Sequence, residues 1–264
     1  MGCSMVDDLI PAATIILLRD APQFEVLMVE RHAEIAFAGG ALVFPGGRID
    51  AGDHNPAWAA HCEGFDAVPE EERAPRIAAM REAFEETGLL LARRNGETIG
   101  ADEAEKLSSW RKRVEDDDRL FLEMIAGESL SLAADALQLF ARWRPPKGVG
   151  HRRYDTWFFA AKAPESQRAK ADGVEAMEIV WTAPADALAE STAGRRKMIF
   201  PTLRNVELLA TSESADAVFS FAETRDRSPI EPRRIERDGA YFLTIPEDRG
   251  YPVTEEPLEK AMRS

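Results

Sequence analysis

Residues 70–88 constrain the fold most, because they combine apolar and acidic side chains at helical spacing. The segment predicts a helix from about Glu70 to Thr87, followed by Gly88, which suits a left-handed helix cap. At about 100° per residue, three carboxylates share an arc of about 100°, and three apolar residues lie on the opposite side. The carboxylates are Glu82, Glu85 and Glu86, and the apolar residues are Ile77, Met80 and Phe84. We expect one face to pack on a core while the other presents negative charge.

The three carboxylates repel one another, and like-charged pairs at this spacing lower helix stability. A hard divalent cation would turn that repulsion into binding, because Mg²⁺ and Mn²⁺ prefer carboxylate oxygens and water. Arg81 lies beside Glu82 and one turn before Glu85, so we expect it to hold a carboxylate in place. The alternative is a solvent-exposed acidic face with an incidental arginine, which is common on surface helices.

A glycine pair lies upstream, where the apolar residues 41–44 end at Pro45-Gly46-Gly47. Paired glycines let the backbone turn tightly and approach another group closely. Their carbonyls and amides can meet a metal ion or a phosphate. The alternative is an ordinary turn.

The remaining pattern mixes strands and helices without strict alternation, which favours an α+β fold. We expect strands at residues 13–18, 24–30, 89–92, 156–161, 177–181 and 240–245. We expect helices at residues 184–189, 202–210 and 215–222, and helical character through residues 101–140.

Composition excludes several classes of protein. The net charge of −14 argues against a broad nucleic-acid-binding or anionic-membrane surface, which needs clustered lysine and arginine. The longest apolar run, residues 12–18, is too short to span a membrane. Two cysteines make no disulfide framework and no signal peptide opens the chain, so we expect a cytoplasmic protein.

Taken together, the segment with the glycine pair and the helix with the three glutamates resemble the Nudix box. Five residues separate Gly47 from Asp53, and residues 81–89 read Arg-Glu-Ala-Phe-Glu-Glu-Thr-Gly-Leu, as in the second half of that box. Two departures stand out. Asp53 occupies a position where the family has Glu, and 27 residues separate it from Arg81 where the family has seven.

A long insertion inside the box resembles the acyl-CoA diphosphatase branch of the Nudix family. The resemblance extends over residues 10–209 and includes residues 40–47, residues 154–159, Trp181 with Pro184, and residues 201–203. The motif of the other CoA-hydrolysing branch requires an arginine where Ala36 stands, so that motif is not matched.

The resemblance implies a Nudix-type α/β/α sandwich with a mixed β-sheet and helical insertions. It also implies metal-dependent hydrolysis of a diphosphate that links a nucleoside to a second group. Glu82, Glu85 and Glu86, helped by the Gly46 carbonyl, would bind Mg²⁺ or Mn²⁺. Glu82, Arg81 and Glu85 would form the catalytic set, with Glu82 acting as a ligand or as the water-activating base.

Three other acidic residues have less defined roles under this resemblance. Asp53 would either orient the metal ligands without binding the metal itself or have a structural role only. Some family members take their general base from a distant loop, which makes Glu175 and Glu178 candidates for that base.

Lys147, Arg152 and Arg153 form a basic cluster in this acidic chain. We expect them to bind a substrate phosphate, such as the 3′-phosphate of CoA. The alternative is a solvated loop.

The favoured substrate is CoA or acyl-CoA, which would yield 3′-phospho-AMP and (acyl-)phosphopantetheine. ADP-ribose, a nucleotide sugar or a dinucleotide is the alternative. A more remote alternative is a Nudix protein that binds a ligand without catalysis, although such sensors usually lose carboxylates of the Nudix box, which this sequence keeps. RNA decapping is a further alternative, which the net negative charge disfavours.

We expect one Nudix hydrolase domain over residues 1–264. Its core would span about residues 10–210, with insertions at 54–80 and 98–140, and residues 211–264 would form a C-terminal extension. A homodimer is one possible assembly, since Nudix proteins often dimerise.

Overall fold

A computed structural model describes residues 9–34, 38–145 and 153–261. The strands are β1 (Ile10–Arg19), β2 (Glu25–Arg31), β3 (Leu42–Val43), β4 (Gly46–Arg48), β5 (Ala92–Arg94), β6 (Glu97–Thr98), β7 (Ser131–Leu132), β8 (Gln138–Trp143), β9 (Tyr154–Lys162), β10 (Ala176–Thr182), β11 (Arg233–Arg237), β12 (Ala240–Thr244) and β13 (Glu255–Pro257). The α-helices are α1 (Glu70–Thr87), α2 (Ala101–Lys106), α3 (Arg111–Asp116), α4 (Arg119–Gly127), α5 (Pro184–Thr192), α6 (Phe200–Leu209), α7 (Ala215–Thr224) and α8 (Leu258–Ala261). Short 3₁₀ helices at Ala51–His54, Pro56–Ala60 and Phe65–Ala67 occupy the segment between β4 and α1.

A mixed sheet forms the middle layer. Its strand order is β10-β2-β1-β9-β8, with β3 paired to β2 and β4 paired to β1. β1 and β9 run parallel, from Ile10 opposite Tyr154 to Leu18 opposite Lys162. The other neighbouring strands run antiparallel. β4 pairs with the first half of β1 and β2 with its end, so β1 lies at the centre of the sheet.

The side chains of β1 alternate between the two faces of the sheet, as strand geometry requires. Ala13, Ile15 and Leu17 join the core beneath α1, whereas Ile16 and Leu18 join the core beneath α6 and α7. A strand buried on both faces has a continuous apolar sequence, which explains the run at residues 12–18.

Helices cover both faces of the sheet. α1 contributes Ile77, Met80 and Phe84 to one core, together with residues of α3 and α4. The other core contains residues of α5, α6 and α7 and of the C-terminal elements β12 and α8. The predicted α+β fold, an α/β/α sandwich around a mixed sheet, is confirmed. The proposed domain limits stay a prediction.

The predicted helix at Glu70–Thr87 forms as expected and ends at Gly88, whose φ of 73° is left-handed. The predicted strand at residues 89–92 is wrong, because β5 begins only at Ala92. The Leu90 N–H donates to Oε1 of Gln167 at 2.9 Å, and its carbonyl accepts from Nε2 of Gln167 at 3.1 Å. The apolar run therefore indicates burial, and the Gln167 side chain, not a neighbouring strand, forms the hydrogen bonds to the Leu90 backbone.

The helical character predicted for residues 101–140 holds only as far as Gly127, after which the chain forms β7 and β8. β9, β10, α5, α6 and α7 form where the pattern predicts them, with ends shifted by about three residues at most. In the described part of the chain, no helix is both long enough and apolar enough to cross a membrane.

Candidate active site

β4 brings the glycine pair against the acidic end of α1. This strand is hydrogen-bonded to β1. Gly46 donates its N–H to Oε2 of Glu86 at 3.3 Å, and a Cβ atom on Gly47 would collide with the carboxylate of Glu82. The absence of side chains therefore lets the helix carboxylates approach the strand backbone.

Arg81 lies at the centre of the site, with 3 % of its surface exposed. Its Nε and Nη2 atoms donate to Oδ1 and Oδ2 of Asp53, each at 3.0 Å. Its Nη1 atom donates to Oε1 of Glu82 and to Oε1 of Glu85, each at 2.9 Å. Nη2 also donates to the Arg48 carbonyl at 2.9 Å. Because a guanidinium is a rigid planar fork, Arg81 fixes where both helix carboxylates lie.

The acidic side of α1 is buried rather than solvated. Glu82, Glu85 and Glu86 have exposed fractions of 8 %, 7 % and 3 %. Arg111 at the start of α3 donates Nε and Nη2 to the Glu85 carbonyl at 3.0 and 2.8 Å. A solvent-exposed acidic face with an incidental arginine is therefore wrong for this helix.

Arg31, at the end of β2, is a site residue that the sequence did not reveal. Its Nη1 atom lies 3.7 Å from Oε1 of Glu86, and its Nη2 atom donates to Oε2 of Glu175 at 3.1 Å. Glu175 is 144 positions away, so spacing along the chain carried no signal of this contact. The available signal was an arginine that ends a buried apolar strand.

Burial raises the pKa of four carboxyl groups around Arg81, those of Glu82, Glu85, Glu86 and Asp53. It raises the pKa of Glu82 to about 7 and that of Glu85 to about 8. Burial also raises the pKa of Glu86, and the nearby charge of Glu82 raises it further. Burial raises the pKa of Asp53 as well, although Arg81 opposes that shift. Burial works to lower the pKa of Arg81, but Glu82 and Asp53 raise it above its ordinary value. The site thus holds more acidic groups than its arginines neutralise.

The donor set fits a hard divalent cation. Such ions prefer carboxylate oxygens, which Glu82, Glu85 and Glu86 supply beside the backbone of Gly46. Within the described ranges, no three histidine, cysteine, aspartate or glutamate side chains converge as metal ligands. Instead, Arg81 holds Glu82 and Glu85 on one nitrogen. The excess of buried carboxylates is the feature that a bound cation would relieve.

A cavity of about 680 Å³ lies in front of the acidic end of α1. Its polar lining includes Arg31, Gly46, Gly47, Arg81, Glu82, Glu85, Glu86 and Glu175. Other walls come from the sheet and from the C-terminal part of the chain. The volume falls within the range of about 300–1,000 Å³ that is typical of small-molecule sites.

The predicted phosphate-binding cluster is described only in part. Lys147 and Arg152 lie outside the described residues. Arg153 donates Nη2 to the Pro145 carbonyl at 2.9 Å and is not among the residues that line the cavity. Arg144, which the sequence did not single out, lines it.

The two candidates for a distant general base differ in position. Glu175 lines the cavity and accepts from Arg31. Glu178 accepts from Nη2 of Arg196 at 2.7 Å and is not among the cavity-lining residues.

Comparison with sequence families and curated proteins gives a consistent result. A family model described as the NUDT19 Nudix domain matches residues 59–207, which include the whole of α1. The chain is similar to acyl-coenzyme A diphosphatase NUDT19 of Gallus gallus, with 27 % identity over 305 residues that cover 91 % of this chain and 79 % of that protein. It is also similar to the Homo sapiens protein of that name, with 28 % identity over 251 residues that cover 80 % and 67 %.

A solved structure is also similar. The NUDIX hydrolase from Alicyclobacillus acidocaldarius superposes with a TM-score of 0.68 at 25 % sequence identity. The match covers 81 % of this chain and 97 % of that one, so it includes most of the sandwich described above.

Proposed function

The chain belongs to the Nudix hydrolases of the NUDT19 branch, and from that membership we propose that it is a metal-dependent diphosphatase of CoA or acyl-CoA. It is a Nudix hydrolase that acts on diphosphate bonds. The proposal adds the substrate, the metal and the roles of individual residues. Its cytoplasmic location and its assembly as a homodimer stay predictions.

One observation carries the proposal: buried carboxylates held by Arg81 border a cavity large enough for a small molecule. A diphosphate carries negative charge and would be repelled by these carboxylates alone. A divalent cation between the two would reverse that repulsion. The excess of acid in the site therefore supports a metal-assisted reaction on an anionic substrate.

We assign Glu82, Glu85 and Glu86, with the backbone of Gly46, as the residues that would hold Mg²⁺ or Mn²⁺. When bound, such an ion supplies charge neutralisation of the diphosphate and acidifies a water molecule. Arg81 is assigned as the residue that orients Glu82 and Glu85, because it donates to both. Hydrolysis then adds water across the P–O–P linkage.

The proton of the attacking water needs an acceptor. Glu82 is the first candidate, because it lines the cavity and Arg81 holds its carboxylate in place. Glu175 is the second candidate, because it lines the cavity beside Arg31. We keep Glu82 as ligand or base and Glu175 as the alternative base.

The CoA-type substrate is supported by the relatives described above, which are acyl-coenzyme A diphosphatases. Cleavage would yield 3′-phospho-AMP and (acyl-)phosphopantetheine. ADP-ribose, nucleotide sugars and dinucleotides contain the same diphosphate unit and are the competing substrates.

A substrate panel tests the proposal. Purified protein is incubated with CoA, acetyl-CoA, octanoyl-CoA, ADP-ribose, UDP-glucose and a diadenosine polyphosphate, each with Mg²⁺, Mn²⁺ or EDTA. We expect metal-dependent release of 3′-phospho-AMP from the CoA compounds, and we expect kcat/KM to be higher for them than for the other substrates of the panel. Turnover of ADP-ribose alone would overturn the CoA assignment, and binding without turnover of any compound would favour a ligand sensor.

A further inference from the structure

The cavity extends from the carboxylates along one face of the sheet toward the C-terminal part of the chain. Ala12 and Thr14 of β1 and Thr156 and Phe158 of β9 line it. These residues share the strand parity of Ile16, which packs beneath α6 and α7. The cavity therefore leaves the acidic end of α1 and runs between the sheet and the opposite helical layer.

The far end of this cavity is apolar. Trp143 on β8 lies three strands from β4, across β1 and β9, and Phe200 packs against its ring. Pro232, Leu243 and Ala261 also line the cavity, and we call these five residues the apolar end. Leu243 and Ala261 are buried, with exposed fractions of 7 % and 6 %. Apolar walls of this kind favour a hydrocarbon group over a charged one.

Three of these residues belong to the C-terminal segment, residues 230–261. Pro232 precedes β11, Leu243 lies in β12 and Ala261 ends α8. The C-terminal segment thus brings an apolar wall to the site, although 13 of its 32 residues are charged.

Buried polar contacts hold this wall in place. The Tyr251 hydroxyl donates to Oδ1 of Asn205 in α6 at 2.8 Å. Nε1 of Trp143 donates to the Tyr251 hydroxyl at 3.2 Å. The indole N–H of Trp143 is thereby used within the protein, so Trp143 offers the cavity apolar ring surface. A preformed wall lowers the entropic cost of binding.

The charged residue near this end is already engaged. Arg144 lines the cavity, but its Nε atom donates to Oδ2 of Asp155 at 2.9 Å, and its Nη1 atom lies 3.7 Å from Glu231. This end therefore suits a neutral, apolar substituent better than a phosphate group.

We propose that the C-terminal segment forms the subsite for the acyl group of a CoA thioester and makes the chain prefer acyl-CoA over free CoA. This inference rests on the proposed diphosphatase activity. It assigns the diphosphate to the carboxylate end of the cavity and the acyl chain to the apolar end. Adenine at the apolar end is the competing arrangement, and the experiment separates the two.

The wild-type protein provides the first test, through KM for CoA, acetyl-CoA, butyryl-CoA and octanoyl-CoA. Octanoyl-CoA carries six more methylene groups than acetyl-CoA, and burial of each favours binding, so we expect KM to fall at least about tenfold from acetyl-CoA to octanoyl-CoA. A KM independent of chain length would overturn the acyl subsite. Absence of turnover for every CoA compound would instead overturn the proposed function.

Variants of the wall provide the second test. In Leu243→Trp and Ala261→Leu, larger side chains enter the apolar end, and we expect the ratio of kcat/KM for octanoyl-CoA to that for free CoA to fall at least tenfold. Tyr241→Ser is the matched control, since Tyr241 lies in the same strand, is 41 % exposed and is not a lining residue. Its ratio should equal that of the wild type.

Thermal melting identifies a variant that fails to fold, and the more conservative Ala261→Leu then decides the outcome. Equal loss of kcat/KM for free CoA and octanoyl-CoA in a folded variant would assign the wall to the nucleotide and overturn the proposal. An unchanged ratio in both folded variants would overturn it as well.

Discussion

Arg81 and Asp53 meet in a two-point salt bridge, with Nε 3.0 Å from Oδ1 and Nη2 3.0 Å from Oδ2. The Asp53 carboxylate is buried, and it is joined to α1 across a long insertion. This pairing leaves Nη1 of Arg81 for Glu82 and Glu85. Asp53 therefore positions both glutamates through Arg81, despite standing where the family pattern has Glu.

Asp53→Asn tests this positioning role. Loss of the charge-assisted fork should lower the free energy of unfolding by about 1–3 kcal/mol. It should lower kcat/KM by about 10–100-fold, the effect typical of residues that orient metal ligands. Urea unfolding and steady-state kinetics measure the two effects.

Asp50→Asn is the matched control for that variant. The Asp50 side chain is 46 % exposed and lies 3.5 Å from Nη2 of Arg81, so its removal should change stability by less than about 1 kcal/mol. Equal losses in the two variants would contradict a special role for Asp53.

Glu86→Gln should separate activity from stability. Because burial raises the pKa of Glu86, a neutral amide of the same shape should leave Tm unchanged or higher. The Gln carbonyl can still accept from the Gly46 N–H. Activity should fall at least about 100-fold, since even outer partners of metal ligands contribute about 10–100-fold.

Glu178→Gln provides the comparison for the Glu86 variant. Glu178 bonds Arg196 and is not a cavity-lining residue, so its kcat/KM should match that of the wild type. A Glu86→Gln protein with full activity would mean that the active site is elsewhere.

The pH dependence of stability follows from the raised pKa values of Glu82, about 7, and Glu85, about 8. Between pH 4.5, the ordinary glutamate pKa, and about 8, the folded state holds protons that the unfolded state releases. Stability present at low pH is therefore lost as pH rises through this range. In EDTA we expect Tm to be at least about 5 °C lower at pH 8.5 than at pH 5, since about 1 kcal/mol shifts Tm by about 2–4 °C in a chain of this size.

Added Mg²⁺ should reverse this loss most strongly at pH 8.5, where the carboxylates are ionised. Differential scanning calorimetry at both pH values, with and without Mg²⁺, measures the effect. A Tm in EDTA that is constant or rises toward pH 8.5 would contradict the placement of these carboxylates in a shared buried cluster.

The sequence predicted the parts of the fold that depend on local periodicity. The α1 helix and its end at Gly88 follow from helical spacing and a left-handed cap. The central strands follow from continuous apolar runs. The strand prediction for residues 89–92 failed because an apolar run indicates burial but not a strand. The Gln167 side chain, distant in sequence, forms the hydrogen bonds to the Leu90 backbone that a neighbouring strand would otherwise form.

The acidic cluster was predicted, but its surroundings were not. A helical wheel places Glu82 and Glu86 on one face without showing what covers that face, which is the backbone of β4 at Gly46 and Gly47. Arg31 reaches the site from β2 by tertiary packing alone. The strand that contains Leu243 was predicted at residues 240–245, but its place in the cavity wall was not, because tertiary packing alone brings it to the site.

Gly47→Ala tests the close approach of β4 to α1. A Cβ atom at this position would overlap the Glu82 carboxylate, which is buried and bonded to Arg81 and so has little freedom to yield. We expect kcat/KM to fall about 100-fold, the loss that a displacement of about 1 Å can cause. We also expect the free energy of unfolding to fall by about 1–3 kcal/mol from overpacking.

Gly127→Ala is the control for this substitution. A Cβ at Gly127, the last residue of α4, would meet nothing within 4 Å, and alanine favours the helix, so activity should be unchanged and Tm equal or higher. If Gly47→Ala behaved like Gly127→Ala in both kinetics and melting, Glu82 would not need its observed position. The catalytic role assigned to Glu82 would then pass to Glu175, the other carboxylate proposed as base.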